Sequence, residues 1–173
     1  MRRVQFGDEA ALGALMQRWE RPLKGVIARL VFNAREAEDL AQETFVRVWQ
    51  QRDKYNASAP FRPWIFTLAV NLARNRLRWW RRRPEIALEE WTESASDEAD
   101  SGANAAVRTE RAAAVRDAIA LLPTDLREAI VLSEYEQMSH AEVAAAVGVT
   151  AKAVEMRIHR ARERLRVALE HRL

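Results

Sequence analysis

Three rows of side chains in this sequence could do chemistry. Lys152, Met156, His159 and Arg160 recur at helical spacing opposite the apolar Val154, Ile158, Ala161 and Leu165, with Arg157 and Arg164 on the flanks. Cationic groups aligned on one side of a helix can neutralise phosphates, and an arginine can also offer a two-donor fork to O6 and N7 of guanine. A second row, Trp64, Thr67, Asn71, Arg74, Asn75 and Arg78, runs into Trp79, Trp80 and Arg81, Arg82 and Arg83. Aromatic rings stack on unpaired bases while guanidinium groups hold the backbone, so this mixture suits a single strand. The third row, Asp39, Gln42, Glu43, Val46 and Gln50, is acidic and amide-rich around one valine. It is a solvated face or a protein-docking surface.

Composition excludes much else. The chain has 173 residues and a formal charge of only +3, yet its basic residues are clustered. Arg74 to Arg83 and Arg157 to Arg166 are the two arginine-rich stretches, and Glu85 to Asp100 between them carries only acidic charge. Two basic clusters imply two contacts with a polyanion. There is no cysteine, hence no disulfide framework and no thiolate metal site. His140, His159 and His171 are scattered, without a ligand pattern around them. No phosphate loop and no ordered nucleophile, base and acid set occur, so no enzyme activity, cofactor or metal is expected. No apolar run approaches membrane-spanning length and the N-terminal stretch lacks a signal h-region, so membrane insertion is not expected and the expected location is the cytoplasm.

The elements that must position these rows follow from local signals. Ser139 opens an S-x-x-E capping box closed by Glu142, and a short helix carrying Val143, Ala144 and Val147 stops at Gly148. Thr150 can cap a second helix. Two short helices joined by a glycine turn, the second basic on its outer side, describe a helix-turn-helix, whose second helix enters the DNA major groove. An amphipathic bundle helix has the same periodicity; the capping box, Gly148 and the one-sided charge favour DNA. Upstream, Asp8 caps a helical pattern to about Phe32 that Pro22 should divide or kink. A second helix spans about Arg35 to Gln51, with Leu40, Ala41, Thr44, Phe45 and Val48 inward. After the loop from Asp53 to Pro60, a third runs from about Phe61 to Arg81 with two apolar stripes, so it packs on two sides as the centre of its bundle. Helix returns from about Val107 to Leu121, and Thr124 or Asp125 caps the next one to about Tyr135. The expected fold is all-α, with two small helical domains at 1–84 and 107–173, isolated by a flexible acidic linker at 85–106.

In this order the pieces resemble bacterial sigma factors of the compact extracytoplasmic-function group in the sigma-70 family. EAEDLAQETFVRVW (36–49) resembles that family's polymerase-binding helix, FRPWIFTLAVNLARNRLR (61–78) its promoter-melting helix, and residues 121–165 its C-terminal DNA-binding domain. The resemblance covers nearly the whole chain. It implies a transcription initiation factor whose partners are core RNA polymerase, promoter DNA and an anti-sigma factor. It places Asp39, Gln42, Glu43, Phe45 and Val46 on, or in support of, the surface that meets the clamp of the polymerase largest subunit. It associates Asn71 and Asn75 with the unwound minus-ten element, the Tyr55–Pro60 loop with capture of a flipped base, and Arg157, His159 and Arg160 with the minus-thirty-five element. Glu155 departs from the pattern, standing where some relatives carry a basic or small polar residue. The alternative reading is an ordinary helix-turn-helix regulator of duplex DNA, which has no use for the 61–83 strip.

Overall fold

The structure, a computed structural model, describes residues 1–83 and 103–170, with the backbone alone for 103–109. Its elements are α1 (Arg2–Gln5), α2 (Glu9–Val31), α3 (Ala34–Gln50), a 3-10 turn (Arg52–Lys54), α4 (Phe61–Arg82), α5 (Ala103–Ala120), α6 (Thr124–Glu134), α7 (His140–Val147) and α8 (Ala151–Leu169). Among the described residues all regular structure is helical, as the periodicity predicts.

The helix boundaries have local causes. The Asp8 carboxylate accepts from the Ala11 amide at 2.9 Å and starts α2, and the Asn33 side chain does the same for Glu36 at 2.9 Å and starts α3. Between them Phe32 sits in the left-handed region at φ 57° and closes α2. Pro22 does not divide α2, which runs unbroken through it. A proline inside a helix forfeits one backbone hydrogen bond. Here Leu23, Val26, Ile27, Leu30 and Val31 just beyond it are all buried, and their packing outweighs that loss. The sequence also misplaces the start of α6: neither Thr124 nor Asp125 caps it. Pro123 holds the N-cap position without a side-chain cap, and its carbonyl accepts from the amides of Leu126 and Arg127. A proline in this place has its φ preset near the helical value.

α4 is central. Ile65, Phe66, Ala69 and Val70 have no exposed surface, and α2 and α3 pack against one side of the helix. On its other side it packs chiefly against α7, from the far half of the chain. The two halves are therefore not isolated. One continuous apolar core runs from Leu23 through Phe66 to Val143 and Ile158, with α2 against α6 and α4 against α7. The cause lies in α6, where Leu126, Ala129, Ile130, Val131 and Leu132 are all buried. A helix apolar around so much of its circumference needs cover on more than one side. α8 supplies one cover and α2 another. The expected linker falls largely outside the described residues, and α5 begins at Ala103, before the expected Val107.

Candidate nucleic-acid interface

The helix-turn-helix is built from α7 and α8. The backbone amide of Glu142 donates to the Ser139 hydroxyl at 3.3 Å, while the Ser139 amide donates to the Glu142 carboxylate at 2.9 Å. These backbone and side-chain bonds hold the Glu142 carboxyl below its ordinary value. Gly148, at φ 77°, turns the chain where a side chain would strain the backbone, and the Thr150 hydroxyl accepts from the Ala153 amide at 3.1 Å to start α8. Val154, Ile158 and Ala161 are buried and Leu165 is partly buried, so the opposite side of α8 faces out.

That outer side carries the predicted row. Lys152, Met156, His159, Arg160 and Arg164 are exposed, and Met156 is an exposed apolar group among cations. Arg157 behaves differently. Its guanidinium lies 3.6 Å from the Asp125 carboxylate of α6 and its side chain is 23% exposed, so it holds α8 against α6 rather than reaching outward. The Lys152 ammonium bridges both carboxylate oxygens of Glu155 at 3.0 and 2.9 Å.

The row on α4 is divided. Asn71, Asn75 and Arg78 are exposed, with Arg78 donating to the Asn75 side chain. Thr67 and Arg74 instead face the second half of the chain. The Thr67 hydroxyl donates to the Pro63 carbonyl at 2.8 Å, with the Ala145 carbonyl of α7 at 3.4 Å. Arg74 makes a two-pronged ion pair with Glu128 of α6, at 2.7 and 2.5 Å, and its fork also reaches the Val147 carbonyl at 3.2 Å. The Glu128 side chain is 2% exposed and that of Arg74 30%. Hydrogen bonding to Glu128 raises the pKa of Arg74 beyond its ordinary value. Trp64 joins an aromatic cluster, 4.9 Å from the Tyr55 ring and 5.8 Å from Phe61, and borders an apolar cleft of about 390 Å³ between Pro60, Pro63 and Thr67 on one side and Ala141 and Ala145 on the other. Of the tryptophan pair, Trp80 is core and Trp79 is half-buried, flanked by the guanidinium groups of Arg76 and Arg83 at 5.4 and 5.1 Å. Arg81, Arg82 and Arg83 are exposed. The loop before α4 is tied down by the buried Tyr55, whose hydroxyl donates to the Ala59 carbonyl, while residues 56–60 are exposed.

On α3, Asp39, Gln42, Val46 and Gln50 line one outer side, with Glu43 half-exposed and paired to Arg47 at 2.8 Å. Val46 is 46% exposed. Phe45, grouped with them above, is 4% exposed and belongs to the core, so its part can only be to back the surface.

The sequence reading missed the residues that join the halves. Besides Glu128, Arg127 donates to the carbonyls of Leu30, Ala120 and Leu122 at 2.8, 2.6 and 2.9 Å, and its burial lowers its pKa. A cation on the Leu30 and Ala120 carbonyls also meets the negative ends of α2 and α5. Arg62 of α4 donates to the Glu136 carbonyl and lies 3.6 Å from its carboxylate, whose pKa is raised by burial. The available signal was an acid inside the apolar run LREAIVL.

Comparison with known proteins agrees with this arrangement. The family described as Sigma-70 region 2 matches residues 15–83, and Sigma-70, region 4 matches residues 112–165. The RNA polymerase sigma factor CarQ of Myxococcus xanthus is 36% identical over 169 residues, covering 98% of this chain and 95% of its own. The ECF RNA polymerase sigma-E factor of Escherichia coli K12 is 32% identical over 168 residues, covering 93% of this chain and 87% of its own. Among solved structures, CnrH in complex with the cytosolic domain of CnrY aligns with a TM-score of 0.74 at 29% identity, over 98% of this chain and 94% of that one. The region 2 match sets aside the duplex-only regulator. The chain belongs to the sigma-70 family, in its extracytoplasmic-function group, and is a transcription initiation factor that binds core RNA polymerase and directs it to promoters.

Proposed function

We propose that this sigma factor divides promoter recognition between α8 and α4. Lys152, Met156, His159, Arg160 and Arg164 read and hold the upstream minus-thirty-five duplex, with Arg157 steadying the helix that carries them. Asn71, Asn75, Arg78, Trp64, Thr67 and Arg74, with the loop at Tyr55–Pro60, take up the unwound minus-ten strand. Asp39, Gln42, Glu43 and Val46 meet the clamp of the polymerase largest subunit, backed by Phe45. Residues 1–84 and 107–173 act as the two working units, with 85–106 as the tether. The observation that carries this reading is the exposed cationic row on a fully capped helix-turn-helix, in the same chain as the exposed Asn71–Asn75–Arg78 row on α4.

Strand opening needs no catalysis by this chain, because binding unpaired bases better than paired ones shifts the equilibrium toward the open form. Unpairing a base costs a few kcal/mol, and a base stacked on an aromatic side chain returns ~1–3 kcal/mol. The polymerase carries out phosphoryl transfer. Thr67 and Arg74 meet DNA only after α6 and α7 leave α4. The protein acts where the polymerase is, in the cytoplasm; no helix among the described residues is long and apolar enough to cross a membrane. An anti-sigma factor is a further partner, supported by the CnrH relative, whose solved structure carries the cytosolic domain of a second protein. The test is reconstitution with core polymerase on a genomic promoter library, reading transcript starts. Starts at a defined set of promoters, each with a shared upstream and downstream element, are expected; the same starts as core polymerase alone would end the proposal.

A further inference from the structure

Glu155 is out of place on the helix that reads the duplex. It lies in the second turn of α8, exposed, and is the only acid between Ala151 and Arg160, among Lys152, Met156, His159 and Arg160. Next to phosphates a carboxylate is repelled, so in a groove-facing position it needs a donor on a base. Its side chain is also held in place, with the Lys152 ammonium on both of its oxygens at 3.0 and 2.9 Å.

We propose that Lys152 and Glu155 together read one C·G base pair of the upstream element, Glu155 accepting from the cytosine amino group and Lys152 donating to the guanine of the same pair. The proposal rests on α8 being the helix that reads the duplex. The choice of base follows from the donors and acceptors in the major groove. An ionised carboxylate only accepts, and its hydrogen bonds to Lys152 hold its pKa below the ordinary value, so it stays ionised. Guanine shows two acceptors, N7 and O6, and thymine shows O4 and a methyl group; both repel it. Adenine offers the N6 amino group, but its N7 acceptor lies beside it and opposes the second carboxylate oxygen. Cytosine offers the N4 amino group with no acceptor on the same edge. Across the pair, the guanine O6 that receives the cytosine amino group lies one hydrogen bond away, about 2.9 Å. The Lys152 and Glu155 heads are separated by the same length, 2.9–3.0 Å. A donor and an acceptor one hydrogen bond apart therefore face an acceptor and a donor one hydrogen bond apart, and only one strand orientation matches. This makes Glu155 and Lys152 specificity-determining residues for promoter choice.

The experiment uses holoenzyme assembled from the full chain and core polymerase, transcribing a template library randomised across the upstream element, with sequencing of the transcripts. Wild type should prefer C·G at one position by about tenfold, the discrimination typical of one good side-chain–base pairing. Glu155→Ala should lose the preference at that position alone. The combined exchange Lys152→Glu with Glu155→Lys should reverse it, from C·G to G·C. Both side chains are exposed, so neither variant disturbs the core. An unchanged preference in both variants would overturn the inference while leaving the upstream element, and the division of recognition between α8 and α4, intact. A uniform gain in output with Glu155→Ala, with base preferences unaltered, would also overturn it, because the acid would then only repel phosphate. Wild-type holoenzyme with no upstream preference at all would overturn both this inference and the duplex-reading role of α8.

Discussion

The basic faces of α8 and α4 have the same kind of composition and opposite surroundings. On α8 the outer row is open along its length, and the elements that fix it, the Ser139–Glu142 box, Gly148 and Thr150, lie within a dozen or so residues of it. On α4 the row is open at Asn71, Asn75 and Arg78 and closed at Thr67 and Arg74, and what closes it comes from α6 and α7 in the far half of the chain. Periodicity identifies a face; only the tertiary fold decides whether it is free. Here the face proposed to read the duplex is available while part of the face proposed to take up the single strand is engaged within the protein.

The largest test of this contrast removes the ion pair. Arg74→Ala leaves Glu128 buried without its partner, and breaking a buried pair from one side costs ~3–5 kcal/mol. The two groups of helices should then separate, since opening lets water reach Glu128. Small-angle scattering should show the radius of gyration rising from about 16 Å, the value for a compact chain of this length, with helical content retained. An unchanged radius in a folded variant would show that the α4–α7 packing, not the ion pair, keeps the row closed.

A second test separates base reading from phosphate holding on the open face. Arg160→Ala should weaken recognition of the upstream element by ~1–3 kcal/mol at one base. Arg164→Ala, further along α8, should lower affinity for all duplexes alike and reduce the salt slope by about one. Titrations across a salt series read both. Equal loss of specificity in the two would mean that α8 enters the groove differently from the arrangement proposed.

At the open part of the α4 row, Asn71→Ala should leave polymerase binding intact and slow promoter opening about fivefold, the effect of one lost hydrogen bond of about 1 kcal/mol. Permanganate reactivity follows the opening. A template with a pre-melted bubble should restore the rate; failure to do so would point to a folding or docking defect and remove the melting role. Smallest of all, Ser139→Ala should lower stability by ~1 kcal/mol through loss of the cap, seen as a drop in Tm. Base preference should stay as it was, because α8 has its own cap at Thr150.

What could be read from the sequence follows the same contrast. The caps at Asp8, Ser139 and Thr150, the stop at Gly148 and the inward residues of α3 and α8 are each set by neighbours within a turn or two, and each is found where the pattern places it. Pro22 does not divide α2 because its local effect is opposed by burial of the residues after it against other helices. That Arg74 is engaged was hidden on a larger scale: its partner Glu128 is 54 residues away, and nothing local to α4 marks it. Arg157 has the expected residue type at the expected spacing, yet it is turned to Asp125, whereas Phe45 lies in the core as its inward position on α3 predicts. Glu128 itself was visible as an acid in an apolar run, a position where a charge needs a partner.

The Arg74–Glu128 pair also has a consequence for populations. If the joined arrangement lies about 3 kcal/mol below the separated one, a gap of the size common between two conformations of one protein, roughly one molecule in 150 has its α4 row free at any moment. On the proposed role of that row, its apparent affinity for unpaired DNA falls by the same factor. Transiently single-stranded DNA elsewhere on a chromosome then competes weakly for the free protein. A partner that holds the two groups of helices apart restores the full affinity, and it spends about 3 kcal/mol of its own binding energy to do so.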